Sequence, residues 1–391
     1  MQKTLVFGAG QNGRGLPGRQ AILAGHDVIF VDSYPGPIKT VTNPDGYEVD
    51  VAYLEGIKPL KLKGARGYCS AELSNKALII EEIANSDLIF TAVGKDNLGG
   101  IAGLLEAGLE YFLRNNNGFK NILFCENQEG TASKFRNEYL RTFFTFHPQA
   151  EKRIGLVDAV VHIMSTTREG RLVSEGYTWL PIDAEAIRGT IDFPDIQPKE
   201  NFHRYWLRKI FGHNAWHTAF GYSAAQEGLT SMADLPFYPI HSFAVGVSEQ
   251  IISGLAIEFY EENKDSDFTI DNLTKHRDEI FKRITNKHLG DNVERLTSKV
   301  ISYLAPNDRL IGPAKLLMKY GLPVDRVVTS IGNALHFDET EIGKRSEQGK
   351  KLAGLKANKG LPYVLENICG LSRDKDDSLF GLIERRYQEL K

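Results

Sequence analysis

The sequence predicts an α/β amino-terminal domain on a parallel sheet over residues 1–195, followed by a mostly α-helical carboxy-terminal domain over 196–391. Three observations predict this. A short apolar strand at 4–7 runs directly into Gly8-Ala9-Gly10-Gln11-Asn12-Gly13 and then into a helical stretch. Strand candidates alternate with helical patterns to about residue 125, and strands joined through helices pair in parallel. Beyond Lys199 the apolar residues recur at helical spacing almost throughout.

A chain of 391 residues suggests two or three domains. Hydrophobic residues at 42% and charged residues at 25% fit a globular protein, and a net charge of −3 excludes the global basic field of a nucleic-acid binder. No amino-terminal segment reads as a signal peptide, and no apolar run of about 18 residues reads as a membrane span. Cys69, Cys125 and Cys369 are odd in number and widely separated. They form neither a disulfide framework nor a zinc cluster, so a reducing cytoplasm is the expected setting.

In chain order, 4–7 is the first strand, a helix ends near Gly25, and 27–31 is the second strand. Pro17 falls inside the first helix and should kink or delay it. Residues 47–53 and 57–62 read as extra strands, the second a lysine-protected edge through Lys58, Lys61 and Lys63. Further strands are expected at 78–80, 88–92 and 122–125, with a helix over 101–113. Two prolines within 193–199 read as a linker. Helices are expected over 242–262, 271–284, 293–304, 309–320 and 325–335.

The glycine run fits G-x-G-x-x-G between a strand and a helix. Gly8 permits the tight turn, Gly10 lets the backbone approach a pyrophosphate, and Gly13 lets helix and strand pack closely. Ala9, Gln11 and Asn12 complete the loop, and Asp32 follows at the end of the next strand. An acid about 20 residues past the glycines accepts hydrogen bonds from a ribose 2′-hydroxyl and repels a 2′-phosphate. The reading is a Rossmann-type domain that favours NAD over NADP. Val93 and Gly94, after the strand at 88–92, could approach the same dinucleotide. An ordinary strand-to-helix turn would look the same.

Lys209, Asn214 and His217 lie within roughly 140° on an α-helix at about 100° per residue. They could present a base, an amide donor and an imidazole to one pocket. No clustered Cys, His and carboxylate ligands suggest zinc. His213 and His217 share helical spacing, but no third ligand accompanies them. A Tyr-x-x-x-Lys pair at Tyr260 and Lys264 lies outside the nucleotide-binding half and reads as chance.

The segment Lys209-Ile-Phe-Gly-His-Asn214-Ala-Trp-His217 is a full K-x4-N-x2-H match and resembles the polyol-specific long-chain dehydrogenases. Phe7 to Gly15, Thr91 to Gly94, Cys125-Glu126-Asn127, Gly155 to Asp158, Asp308-Arg309, Tyr320 to Pro323 and His336-Phe337 match in the same order. The resemblance implies metal-independent, NAD-dependent interconversion of a polyol (phosphate) and a ketose (phosphate), with mannitol 1-phosphate and fructose 6-phosphate as the leading pair. It implies Lys209 as general base, Asn214 and Asn127 as the oxyanion pair, and His217 as an orienting group. The active site is expected between the two domains.

Some positions depart from the family. His162-Ile163 stands where Asp-Arg is frequent, Ser298-Lys299 replaces arginines, and Gly312 replaces a lysine. Lys299 and Arg309 remain as candidate substrate contacts, with Lys315 and Arg14 as further cations. These changes keep an unphosphorylated polyol or a sugar acid open as substrate. A non-catalytic NAD-binding regulatory protein is the alternative from another class, and the intact Lys209, Asn214 and His217 set argues against it.

Overall fold

The structure is a computed structural model that describes residues 1–237, 239–261 and 264–391. It divides into two compact units, Met1–Trp206 and Leu207–Lys391.

The first unit carries twelve strands. They are β1 (Lys3–Phe7), β2 (Asp27–Asp32), β3 (Tyr47–Ala52), β4 (Ile57–Leu62), β5 (Arg66–Cys69), β6 (Leu88–Thr91), β7 (Lys120–Phe124), β8 (Ile154–Asp158), β9 (Ser165–Arg168), β10 (Arg171–Glu175), β11 (Leu180–Asp183) and β12 (Ile196–Lys199). Six form one sheet in the order β5-β2-β1-β6-β7-β8, parallel throughout. Its strands are buried on both faces, which is why they read as unbroken apolar runs. Val6, Phe30, Phe90 and Leu123 point into one core. Leu5, Phe7, Ile29, Ile89 and Ile122 point into the other. A second sheet has the order β4-β3-β10-β9. There β4 is the edge, and Lys58 and Lys61 on it are exposed, as the lysine spacing predicts.

Residues 78–80 are not a strand. They lie in the helix Lys76–Asn85, which buries Ile79 and Ile83 and leaves Leu78 exposed. A three-residue apolar run cannot separate the two states, whereas Ile79 and Ile83 at i, i+4 enter one core, with Ile83 seated against Gly108 of a neighbouring helix. The prolines at 193–199 do not mark a free linker. Ile196–Lys199 is β12 and pairs in parallel with β11, so the compact unit runs on to Trp206. Pro17 does break the first helix. Gln11–Gly15 ends there, Leu16 is non-helical, and Pro17 starts Pro17–Leu23 at the position where a missing N–H costs least.

Lys120, at the start of β7, is 1% exposed. Its ammonium donates to the Ser86 carbonyl and lies 4.6 Å above the Phe112 ring. Burial pushes its pKa down to about 7, against a weaker pull from Asp87. The folded state therefore binds fewer protons than the unfolded chain between pH 7 and 10.5, and stability rises with pH across that window. The slope is at most about 1.4 kcal/mol per pH unit. Denaturant unfolding of Lys120→Met should show a flatter rise over that range than the unmodified protein. Equal slopes would mean that Lys120 does not titrate there.

The second unit is helical. Ala215–Gln226 is buried from Ala215 to Ala225, so it is the central helix. Pro239–Ala256, Val293–Thr297 and Asp325–Leu335 pack against it. The expected helix at 293–304 is two short ones, Val293–Thr297 and Val300–Tyr303. The expected helix at 242–262 starts earlier, at Pro239, and Glu262 lies outside the described residues. The sequence reading finds no apolar run of membrane-spanning length. Among the described residues, Pro239–Tyr260 is nevertheless long and apolar enough to cross a membrane by length and composition, and 56% of its most apolar window is buried in the protein. A core helix satisfies the same criteria.

Candidate active site

In the first unit the strand order puts four carboxyl ends side by side: β2, β1, β6 and β7. Asp32 ends β2, the loop 8–13 follows β1, Val93 and Gly94 follow β6, and Asn127 follows β7. In an open parallel sheet this edge is where ligands bind. Gly8 has φ +96°, and a Cβ there would lie 2.4 Å from the Ala92 carbonyl oxygen. A Cβ on Gly13 would lie 1.9 Å from the Gly8 carbonyl oxygen. Both positions therefore require glycine for packing. A Cβ on Gly10 meets no protein atom within 4 Å, so its glycine faces open space.

The Asp32 carboxylate is held in place. The Ala9 N–H donates to Oδ2 at 2.8 Å and the Tyr34 N–H donates to Oδ1 at 2.9 Å. The loop thus fixes the acid that a ribose would meet. Exposed Gln11 donates to Thr167 at 2.6 Å, and Asn12 beside it is also exposed. Arg14 is directed at the loop's own Gly10 carbonyl, 3.4 Å away.

Glu126 was quoted from the sequence only as part of a family match, yet it joins two strand ends. It is 4% exposed, accepts from the Thr91 hydroxyl at 2.6 Å and accepts from the Val93 N–H at 3.2 Å. Burial raises its pKa above the usual carboxylate range. Asn127, the next residue, is exposed. Asp158 at the end of β8 accepts from the Ala132 N–H, and burial with Asp183 and Glu129 nearby pushes it up to about 6.

In the second unit Lys209 and Asn214 lie on a π-helical turn, Arg208–Asn214, which continues into Ala215–Gln226. The α-helical angles used above do not hold across this turn. A π-turn bonds residue i to i+5, and five is the Lys209 to Asn214 spacing. Lys209 is 6% exposed, Asn214 8% and His217 6%, so none is an ordinary surface side chain. The Asn214 amide nitrogen is buried with no hydrogen-bond acceptor among the described residues. Burial, with Arg283 and His217 nearby, holds His213 well below the usual imidazole range. The His213 and His217 rings are 6.2 Å apart, and among the described residues no group of three potential ligands could hold a metal.

Sequence reasoning missed Asp291. Its side chain has no exposure, its Oδ2 lies 3.2 Å from His217 Nε2, and Arg295 grips it with Nε at 2.7 Å and Nη2 at 2.6 Å. The i, i+4 spacing of Asp291 and Arg295 was visible, but nothing in the sequence tied either to His217.

The candidate substrate contacts are differently placed. Arg309 is 8% exposed, donates to Asp308 at 2.8 Å and stacks 3.8 Å from the Tyr303 ring. Lys299 is exposed at the start of Val300–Tyr303. Lys315 lies 3.7 Å from Asp376. Lys264 lies 5.4 Å over the Tyr260 ring, so that pair makes a local contact.

Residues 2–174 match the family model described as the mannitol dehydrogenase Rossmann domain. The similarity continues through the second unit. Mannitol-1-phosphate 5-dehydrogenase of Bacillus licheniformis is 28% identical over 97% of this chain and 98% of its own length. The enzyme of the same name from Emericella nidulans is 26% identical over 100% of this chain and 99% of its own. The chain is thus similar to the mannitol dehydrogenase family by its Rossmann domain and to mannitol-1-phosphate 5-dehydrogenases along nearly its whole length. Among solved structures, mannitol 2-dehydrogenase of Pseudomonas fluorescens, in ternary complex with NAD and D-mannitol, covers 100% of this chain and 92% of its own with a TM-score of 0.75. A D-sorbitol dehydrogenase gives 0.73 over 99% of this chain and 92% of its own. At 13% identity each, these two show that the fold is shared.

Proposed function

We propose that this protein is a member of the mannitol dehydrogenase family and interconverts a polyol (phosphate) and a ketose (phosphate) with NAD and without a metal. The observation that carries the reading is the buried π-turn that holds Lys209 and Asn214 one turn ahead of His217. The relatives' names support the substrate class: mannitol 1-phosphate and fructose 6-phosphate lead.

The chain's residues fit the dinucleotide. Gly10 leaves open space over the loop, and Asp32 is oriented by two backbone N–H groups. A carboxylate there favours a free 2′-hydroxyl, hence NAD over NADP. When bound, NAD accepts or returns the hydride. Lys209 takes the hydroxyl proton during oxidation and returns it during ketone reduction. The Asn214 amide, whose nitrogen has no acceptor among the described residues, donates to the developing alkoxide, and Asn127 is the second donor. His217 orients the substrate's hydroxyls.

One observation favours the second reading, an unphosphorylated polyol or sugar acid. Arg309 is already engaged by Asp308 and Tyr303, and Lys299 is exposed. Arginine is the usual bidentate phosphate partner. The test is reduction of fructose and fructose 6-phosphate with NADH and with NADPH, before and after prolonged chelation. The leading reading expects fructose 6-phosphate and NADH to be preferred, with chelation harmless. Equal efficiency on fructose selects the second reading. Activity that zinc restores after chelation overturns metal independence.

A further inference from the structure

We propose that Asp291 is a positioning residue that fixes the His217 imidazole with its proton on Nε2 and presents Nδ1 to a substrate hydroxyl. The proposal rests on the reading above, in which His217 orients substrate.

Asp291 lies in the turn before Val293–Thr297, and its side chain has no solvent exposure. Isolating a carboxylate from water is costly unless donors satisfy it. Here they do. The Asn292 N–H donates to Oδ1 at 2.8 Å, Arg295 Nε donates to Oδ1 at 2.7 Å, and Arg295 Nη2 donates to Oδ2 at 2.6 Å. His217 Nε2 lies 3.2 Å from Oδ2, within ion-pair reach but off the line of a regular hydrogen bond. The turn is itself anchored. The Met232 N–H donates to the Asp291 carbonyl at 3.3 Å, and Asn292 caps the helix by accepting from the Arg295 N–H at 2.8 Å.

An ionised carboxylate only accepts hydrogen bonds, so the nitrogen facing it must carry the proton. Burial pushes the Asp291 carboxyl up, but the nearby His217 ring and the Arg295 guanidinium outweigh it and hold it well below the usual range. Asp291 is therefore charged at neutral pH. A neutral His217 then has its lone pair on Nδ1, the ring nitrogen that does not face Asp291. That nitrogen can accept from a polyol hydroxyl, and Asp291 also stabilises the imidazolium when the ring protonates. The His217 ring meets His213 on its own helical run and Asp291, which Arg295 also holds; His213 in turn is surrounded by Lys209 and by His276 and Arg283 from Ile270–Ile284. Asp291 is the carboxylate that meets the imidazole, so it offsets a largely cationic neighbourhood.

The test is a double-mutant cycle of Asp291→Asn with His217→Gln. Asparagine keeps the shape, removes the charge and can offer an N–H to the ring, which reverses the tautomer. We expect Asp291→Asn to lower kcat/KM for the ketose about tenfold, with NADH affinity unchanged. In the His217→Gln background the same change should cost little, since the ring it positions is absent. Asp291→Glu should recover part of the loss, and it carries the cycle if the asparagine variant does not fold. The inference is overturned if the Asp291 change costs as much without His217 as with it, or if Asp291→Glu recovers none of the loss. Failure of the underlying reading looks different: Lys209→Ala would then keep its activity whatever Asp291 does.

Discussion

Lys209→Ala lowers kcat by about two to four orders of magnitude, the range for a positioned general base, and leaves NADH binding nearly unchanged. The side chain is almost completely buried on a π-turn that also carries Asn214, whose amide nitrogen no described acceptor satisfies. Keeping a lysine there costs free energy, because its charged form is desolvated. That cost has a purpose if the neutral amine takes a proton from a substrate hydroxyl. Cofactor affinity is spared because the loop 8–13 and Asp32 belong to the other unit. Polyol oxidation should rise with pH as the amine deprotonates, and ketone reduction should favour lower pH. In the alanine variant this dependence should disappear, and added primary amines should restore part of the rate. A pH–rate profile beside an NADH titration measures both. A variant that keeps most of its activity with the same pH dependence removes Lys209 from the role of base.

Gly10→Ala and Gly13→Ala should both weaken NADH binding, by different routes. A methyl group at Gly10 meets nothing in the protein, so thermal stability without cofactor should be unchanged. It projects into the open space over the loop and keeps a pyrophosphate away from the backbone. The expected loss is about tenfold or more in affinity, or about 1.4 kcal/mol. At Gly13 the methyl group would sit 1.9 Å from the Gly8 carbonyl oxygen, and backbone rather than a flexible side chain must give way. Gly13→Ala should therefore lower the melting temperature as well and cost about a hundredfold in NADH affinity, consistent with overpacking of roughly 1–3 kcal/mol. Equilibrium NADH titration and thermal melts of the two variants distinguish the routes. Unchanged NADH affinity in Gly10→Ala would mean that no dinucleotide passes over this loop.

Local pattern alone determined much of the architecture. The strand, glycine turn and helix around 4–23, the acid at Asp32 and the helical spacing beyond Lys199 are properties of near neighbours in the chain, and the sequence displays them. The Lys209, Asn214 and His217 set was legible for the same reason, since all three lie within nine residues of one another. Pro17 announced its helix break because its ring constrains the backbone wherever it stands.

Tertiary structure decided what depends on partners distant in the chain. Residues 78–80 became helix because Ile79 and Ile83 together find a packing surface, which no three-residue window contains. Residues 196–199 became β12 because β11 offers a partner, although two prolines suggest a break. The π-turn changed which residues lie over one another, and intrinsic propensity does not encode that register. Arg309 looked available and is occupied by Asp308 and Tyr303. Asp291 looked like an ordinary turn residue and proved to be a buried carboxylate against His217. A side chain's charge and hydrogen-bonding capacity are written in the sequence, but its desolvation and its partners exist only once the chain has folded.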